Sequence, residues 1–228
     1  MNKIITTLMF IALSTVSAKA ADFSALKENL SLTAGIAANQ SVFGASAKET
    51  NLNDTGGAGH VKEEHGVFAD GHSSQFIELG IGQWISVGYE VTPDSITTPK
   101  NTSREGTDNE GNVSVDFNDL TTTYVKLNLP YLNGAYIKSG TVKTDLDIKE
   151  TMLSGSTYSN RSTDGTMMAF GYQKALGDRG FAVRFEGAYM ELDNVTTNNG
   201  ASTATVANGG LNTIDAKNLE GLTGKVAL

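Results

Sequence analysis

Residues 76–91 read FIELGIGQWISVGYEV, and their polarity changes sides at every step. Ile77, Leu79 and Ile81 alternate with Phe76, Glu78 and Gly80. After Gly82-Gln83 the alternation resumes, with Ile85, Val87, Tyr89 and Val91 set against Trp84, Ser86, Gly88 and Glu90. A period of two is that of a strand with one apolar face, and the short glycine-containing joint makes the two runs a tight hairpin. Each arm carries a glutamate on its other face, so that face is not an ordinary core.

The same pattern recurs along the chain. Upstream, Leu30, Leu32, Ala34, Ile36 and Ala38 alternate with Ser31, Thr33, Gly35, Ala37 and Asn39, a strand expected to run on towards Lys48. Downstream, a fourth strand carries Val115 and Phe117, then Thr121, Thr123, Val125, Leu127 and Leu129, opposite Asp116, Asn118, Thr122, Tyr124, Lys126 and Asn128. Residues 130–134 turn the chain into a fifth strand over 135–150. There Ile137 and then Val142, Leu146 and Ile148 fall on opposite parities, and a bulge between Ser139 and Val142 would reconcile them. A sixth strand sets Met168, Phe170 and Tyr172 against Met167, Ala169, Gly171 and Gln173. A seventh sets Phe181, Val183, Phe185 and Tyr189 against Arg184, Glu186 and Met190, with residues 176–180 joining the two. The eighth covers 214–228, with Leu222, Gly224, Val226 and Leu228 on one side.

The connections sort by parity. Those after strands two, four and six take a few residues, whereas 49–74, 93–112, 151–165 and 193–212 are long and polar. A soluble sandwich has no reason to sort its connections in this way; a membrane barrel has short turns at one end and long loops at the other. The first twenty residues agree. Lys3 gives a positive start, residues 4–16 are mostly apolar and Ala18-Lys19-Ala20 forms a cleavage site, a secretory signal too short for a spanning helix of about 20 apolar residues. The reading is therefore all-β: an eight-stranded antiparallel transmembrane up-and-down β-barrel over 30–228, after a signal at 1–20 and a periplasmic lead-in at 21–29. Short turns would lie in the periplasm and long loops outside a Gram-negative cell.

Composition narrows function. The 228 residues include no cysteine, which removes disulfides, thiolate metal sites and thiol nucleophiles. A net charge of -8 argues against binding nucleic acid. The 25 glycines against three prolines suit strands joined by turns.

In number of segments, loop parity and polarity, nearly all of the mature chain resembles the small eight-stranded outer-membrane proteins of the OmpA transmembrane-domain and OmpX group. It departs from them in finishing on Leu228 rather than an aromatic residue. No wall-binding domain is expected after the barrel, so tethering to peptidoglycan is not carried over.

If the apolar parity faces lipid, the lumen receives Glu78, Glu90, Asp116 and Glu186 against Lys126, Lys138, Arg184 and Lys225. An eight-stranded barrel is just wide enough for its side chains to fill, and charges there must pair. They are read as a plug of ion pairs with Arg184 as hub, since its fork can serve two carboxylates; the Arg184→Ala variant should then melt earlier or leak. Tyr131, Tyr172 and Phe181 near the short turns, and Tyr89, Phe117 and Tyr189 nearer the long loops, would form two aromatic belts. Trp84, by parity, points inward and packs across strands.

His60, His65 and His72 share the first long connection with Glu63, Glu64 and Asp70. Their spacings match no compact metal site, so they are read as a solvated loop. Acidic loop residues, with Asp94, Glu105, Asp108 and Glu110, are candidates for bridging to lipopolysaccharide through divalent cations. Some barrels of this size modify lipid A. The palmitoyltransferase type would use a first-loop histidine and an Asp-Ser pair such as Asp94-Ser95, but needs an apolar interior that the charged lumen contradicts. The deacylase type needs a histidine on a strand, and none of the eight segments has one. The expectation is a non-enzymatic outer-membrane protein with a structural or surface-interaction role, with neither cofactor nor metal. Its partners would be outer-membrane lipid, lipopolysaccharide, and an extracellular ligand, host factor or phage met by the loops of a monomer. A narrow-pore channel is the alternative and a lipid A-modifying enzyme a remote one.

Overall fold

The computed structural model describes residues 29–51, 60–104, 110–151, 157–200 and 211–228. The expected signal and all but the last residue of the expected lead-in lie outside them. Eight long antiparallel strands form a ring: β1 (Leu30–Asn51), β2 (His60–Ile81), β3 (Ile85–Thr92), β6 (Glu110–Leu129), β7 (Ala135–Thr151), β8 (Arg161–Ala175), β9 (Ala182–Leu192) and β11 (Asn212–Ala227). Three short strands extend the wall. β4 (Ile96–Thr97) and β5 (Asn101–Arg104) pair with β6, and β10 (Val195–Asn198) pairs with β11. β1 and β11 close the sheet on itself from Ala37↔Ala227 to Asn51↔Asn212. Ile36 and Leu228 exchange both backbone hydrogen bonds at the seam, 3.0 and 2.9 Å. Closure leaves the membrane-height wall without an open edge, which is what lets strands stand in hydrocarbon.

The outward side chains form the belt that lipid requires. Leu32, Ile36, Leu79, Val87, Phe170, Phe185, Leu222 and Val226 are all exposed. The short turns sit at one end. Gly82 (φ 62), Asn133 (φ 44) with Gly134 (φ 107), and Gly177 (φ 70) with Gly180 (φ 81) supply the left-handed backbone those turns need.

At the other end much of what reads as loop is strand. β1 and β2 stay paired up to Asn51↔His60, so His60, His65 and His72 all lie on β2, contrary to their expected place in a loop. β3 instead stops at Thr92, before Pro93, and the chain leaves β2 to follow β6 as β4 and β5. A proline lacks the N–H that a ladder needs.

The interior parity is also not constant. Along β7, Tyr136, Lys138, Gly140, Val142, Thr144 and Leu146 are all buried in unbroken alternation, so the bulge expected near Ser139 to Val142 is absent. The irregularity is in its neighbour: the β6–β7 register shifts between Asn118 and Thr121, around Asp119 at φ 50. A matching shift in the β1–β11 pairing falls between Gly44 and Ser46, opposite Asn218 at φ 53. Asp and Asn tolerate this left-handed conformation better than other side chains, and a β-branched residue there costs about 1–2 kcal/mol. Asp119→Val should therefore lower the midpoint of urea unfolding in lipid vesicles, whereas Asp119→Gly should leave it within error. Equal losses in both variants would mean that the carboxylate, not the backbone, matters.

Candidate functional site

Even-numbered residues of β2, β3, β7 and β9 and odd-numbered residues of β1 face inward at membrane height, and they stack the lumen in two layers of opposite chemistry. In the layer nearer the short turns Glu78 is the centre. It accepts both arms of the Arg184 fork (Nη1 to Oε1 2.7 Å, Nη2 to Oε2 2.6 Å), the Lys126 ammonium at 2.5 Å and the Tyr124 hydroxyl at 2.9 Å. Its relative exposure is 1%. Arg184 gives its remaining Nε–H to Gln173 at 2.8 Å and lies over the Phe76 ring at 4.6 Å. A second carboxylate, Glu186, takes Lys138 at 2.7 Å, the Tyr136 hydroxyl at 2.9 Å and Lys225 at 3.3 Å. Lys225 reaches on to Glu90 at 2.5 Å, and Ser74 also donates to Glu90, at 2.7 Å. Lys138 sits 4.3 Å from the Tyr124 ring centre, joining the two halves through a cation–π contact.

Seven of the eight side chains expected in the lumen thus share one network, and Asp116 does not. The bulge at Asp119 turns Val115 and Phe117 inward and Asp116 outward, where it pairs with Lys149 and accepts a hydrogen bond from Thr97 at 2.8 Å. Arg184 is not the hub either, because its whole fork is spent on Glu78 in the bidentate geometry that such pairs favour. Tyr124, Tyr136, Phe76 and Gln173 complete the layer. Parity marks the first three, which share it with Lys126, Lys138 and Glu78 on their own strands, while Gln173 is paired directly across from Arg184.

Above the polar layer the interior becomes apolar. Ile96, Leu120, Val142, Met167, Leu192, Val195 and Leu219 are buried together, with Phe43, Phe68 and Phe117 packed against them. Phe43 stacks on Phe68 at 5.2 Å and on Phe117 at 6.4 Å between ring centres, and the second of these contacts crosses the barrel. A cavity of about 50 Å³ remains among Phe43, Phe68, Ile96, Phe117 and Leu219. Phe117 is therefore an interior residue and no part of a lipid-facing belt. Tyr131, Tyr172, Phe181, Tyr89 and Tyr189 do face outward. Trp84 is also exposed, at the hairpin turn, with its ring edge-on to Tyr131 at 6.1 Å.

The histidines point different ways. His65 faces outward and bonds Ser46 at 2.8 Å; His72 faces inward beside Asp70 at 3.5 Å. Among the described residues no three His, Asp or Glu side chains gather as a metal site would require. Glu105 and Asp108 lie outside the described residues. Asp94 accepts a hydrogen bond from Ser73 at 3.0 Å, and Ser95 bonds Asn118. Two of the sequence arguments against a lipid A enzyme change here, since β2 does carry histidines and the interior is charged in only one of its layers.

The eight-membered antiparallel ring with an apolar outer belt is the fold of the outer-membrane β-barrels. No family model and no curated protein matches the sequence. Among solved structures, the outer membrane protein OprG of Pseudomonas aeruginosa is 10% identical over 85% of this chain and 96% of its own, with a TM-score of 0.50. Ail, the attachment invasion locus protein of Yersinia pestis, is 10% identical over 85% and 99%, with a TM-score of 0.34. The outer membrane protease OmpT of Escherichia coli is 12% identical over 85% and 95%, with a TM-score of 0.37. The likeness is one of fold, and it reaches outer-membrane barrels without singling out the OmpA and OmpX group.

Proposed function

We propose that the protein is a sealed outer-membrane barrel of a Gram-negative bacterium, acting as a rigid scaffold for envelope integrity or for adhesion and recognition at the cell surface. The short turns then lie in the periplasm, and the paired extensions of β1, β2, β6 and β7 stand outside the cell. Lipid and lipopolysaccharide surround the belt, and an extracellular ligand, host factor or phage meets the extensions. The observation that carries this reading is the doubly filled lumen, with a paired ionic layer below and a packed aromatic and aliphatic layer above. An ion entering from outside would have to cross the apolar layer before reaching the ionic one, and apolar constrictions exclude ions by dewetting.

The test is a planar-bilayer recording of the refolded protein at neutral pH. The expected result is no steady current above the bare membrane. A stable ohmic step would replace the scaffold with the narrow-channel reading. Unboiled protein is also expected to migrate apart from boiled protein on gels and to fractionate with the outer membrane. The scaffold reading assigns no catalytic residue, and transfer or release of acyl chains from lipid A by the purified protein would overturn that part of it.

A further inference from the structure

His72 is a buried titratable group that the seal does not use. It lies on β2 with its side chain 7% exposed, directly across from Asn39 on β1, which is itself paired across to Lys225 on β11. Three polar atoms of this patch, His72 Nδ1, Asn39 Oδ1 and Glu90 Oε2, are buried with no hydrogen-bond partner. The groups facing the imidazole are Asp70 on its own strand, Glu90 on β3 and Lys225 on β11, while β1 presents the neutral Asn39. Beyond Lys225 stands Glu186 on β9.

The charge balance makes this patch sensitive. The polar layer holds four bases, Lys126, Lys138, Arg184 and Lys225, against three acids, Glu78, Glu90 and Glu186. A fourth carboxylate, Asp70, stands at the upper edge with its side chain 31% exposed, so solvent weakens what it can offer a cation. Imidazole is the side chain whose ordinary titration falls at mildly acidic pH.

We propose that His72 is a proton-operated weak point of the seal: once protonated it competes with Lys225 for Glu90 and loosens the upper edge of the ionic layer. Glu90 then turns its unbonded oxygen to the imidazolium, and Lys225 is left to Glu186. The effect on conduction rests on the sealed-lumen reading; the effect on stability does not.

The experiment compares wild type, His72→Gln, His72→Asn and the control His65→Gln at pH 7.5 and 5.0, a range over which ordinary carboxylates stay mostly ionised. Urea unfolding in lipid vesicles and bilayer current are read for each. Wild type and His65→Gln are expected to lose stability on acidification, by no more than the roughly 30-fold in folding constant that a single imidazole can contribute over this range. Brief current openings are expected to appear at pH 5.0. Both His72 variants are expected to show neither change. A pH-insensitive wild type, His72 variants as sensitive as wild type, or sensitivity lost in His65→Gln would each overturn the proposal. Steady current already at pH 7.5 would refute the sealed lumen, and His72 would then be judged on the unfolding curves.

Discussion

Replacing Glu78 with glutamine is expected to lower the unfolding free energy by about 3–5 kcal/mol, the loss typical of breaking a buried ion pair from one side. The carboxylate takes four hydrogen bonds from three side chains, two of them cations, at a point where almost no solvent reaches. An amide of the same shape offers one acceptor oxygen and turns an N–H₂ towards Arg184 or Lys126. Two buried cations are left without a counter-charge, and that, more than the lost bonds, destabilises the barrel. Urea unfolding in lipid vesicles measures the loss. The double variant Glu78→Gln, Lys126→Met is expected to be more stable than Glu78→Gln alone, because it removes one stranded charge. The Glu90→Gln variant is expected to lose less, since Glu90 holds a single cation and already has one oxygen unbonded. A loss under about 1 kcal/mol in Glu78→Gln would show that the layer is hydrated and its charges screened.

Much of this site is legible in the sequence, because at membrane height the barrel obeys a strict period of two. Glu78, Glu90, Lys126, Lys138, Arg184, Glu186 and Lys225 all occupy the parity opposite the lipid-facing residues, and the ring brings strands distant in sequence within reach of one another. What parity cannot show is where it breaks. A bulge inserts one residue and inverts every side chain beyond it, so Asp116 reads as luminal until Asp119 is seen at φ 50 with the register shifted. The conflicting parities along 135–150 have a related cause. Val142 and Leu146 point inward with no bulge on their own strand, because the inside of the barrel changes from polar to apolar part way up. A reading that equates apolar with lipid-facing has no place for an apolar lumen. The strand position of the histidines is hidden for a third reason: residues 60–74 are polar and glycine-containing, yet they gain strand structure by pairing with β1, and tertiary pairing overrides local propensity.

The two layers also divide the work of the interior. The ionic layer fixes register, since a one-residue slip of β2 against β3 would aim Glu78 at lipid and Ile77 at Arg184. The apolar layer owes nothing to ionisation, so acid does not open it directly and it parts only by brief thermal fluctuation. Acid can therefore loosen the lower seal through His72 while Phe43, Phe68 and Phe117 still span the upper one, which is why brief openings rather than a steady current are expected.

The second large effect is expected from a single methyl group. Tyr124 and Tyr136 can reach Glu78 and Glu186 only because their rings lie flat on the wall over neighbours without side chains. Tyr124 is paired across to Gly88 and Gly140, and Tyr136 to Gly171. A Cβ built on Gly88 would stand 2.3 Å from Tyr124 Cζ, and one on Gly171 would stand 2.3 Å from Tyr136 Cζ. Neither ring can yield freely, since each hydroxyl is held at 2.9 Å by its glutamate. Gly171→Ala should thus push Tyr136 off Glu186 and weaken the Lys138 and Lys225 contacts with it, costing about 1–3 kcal/mol from overpacking. Gly88→Ala should do the same at Glu78. Gly187→Ala is the control: it lies on the same wall with nothing within 4 Å of the added carbon, and it is expected to be neutral or slightly stabilising by restricting the unfolded chain. If the loss arises from this clash, adding Tyr136→Phe to Gly171→Ala costs less than the two changes apart, because the ring is then free of its hydroxyl anchor. Additive losses, or a Gly171→Ala variant as stable as Gly187→Ala, would show that the tyrosines are not held against the wall and that the ionic layer tolerates rearrangement.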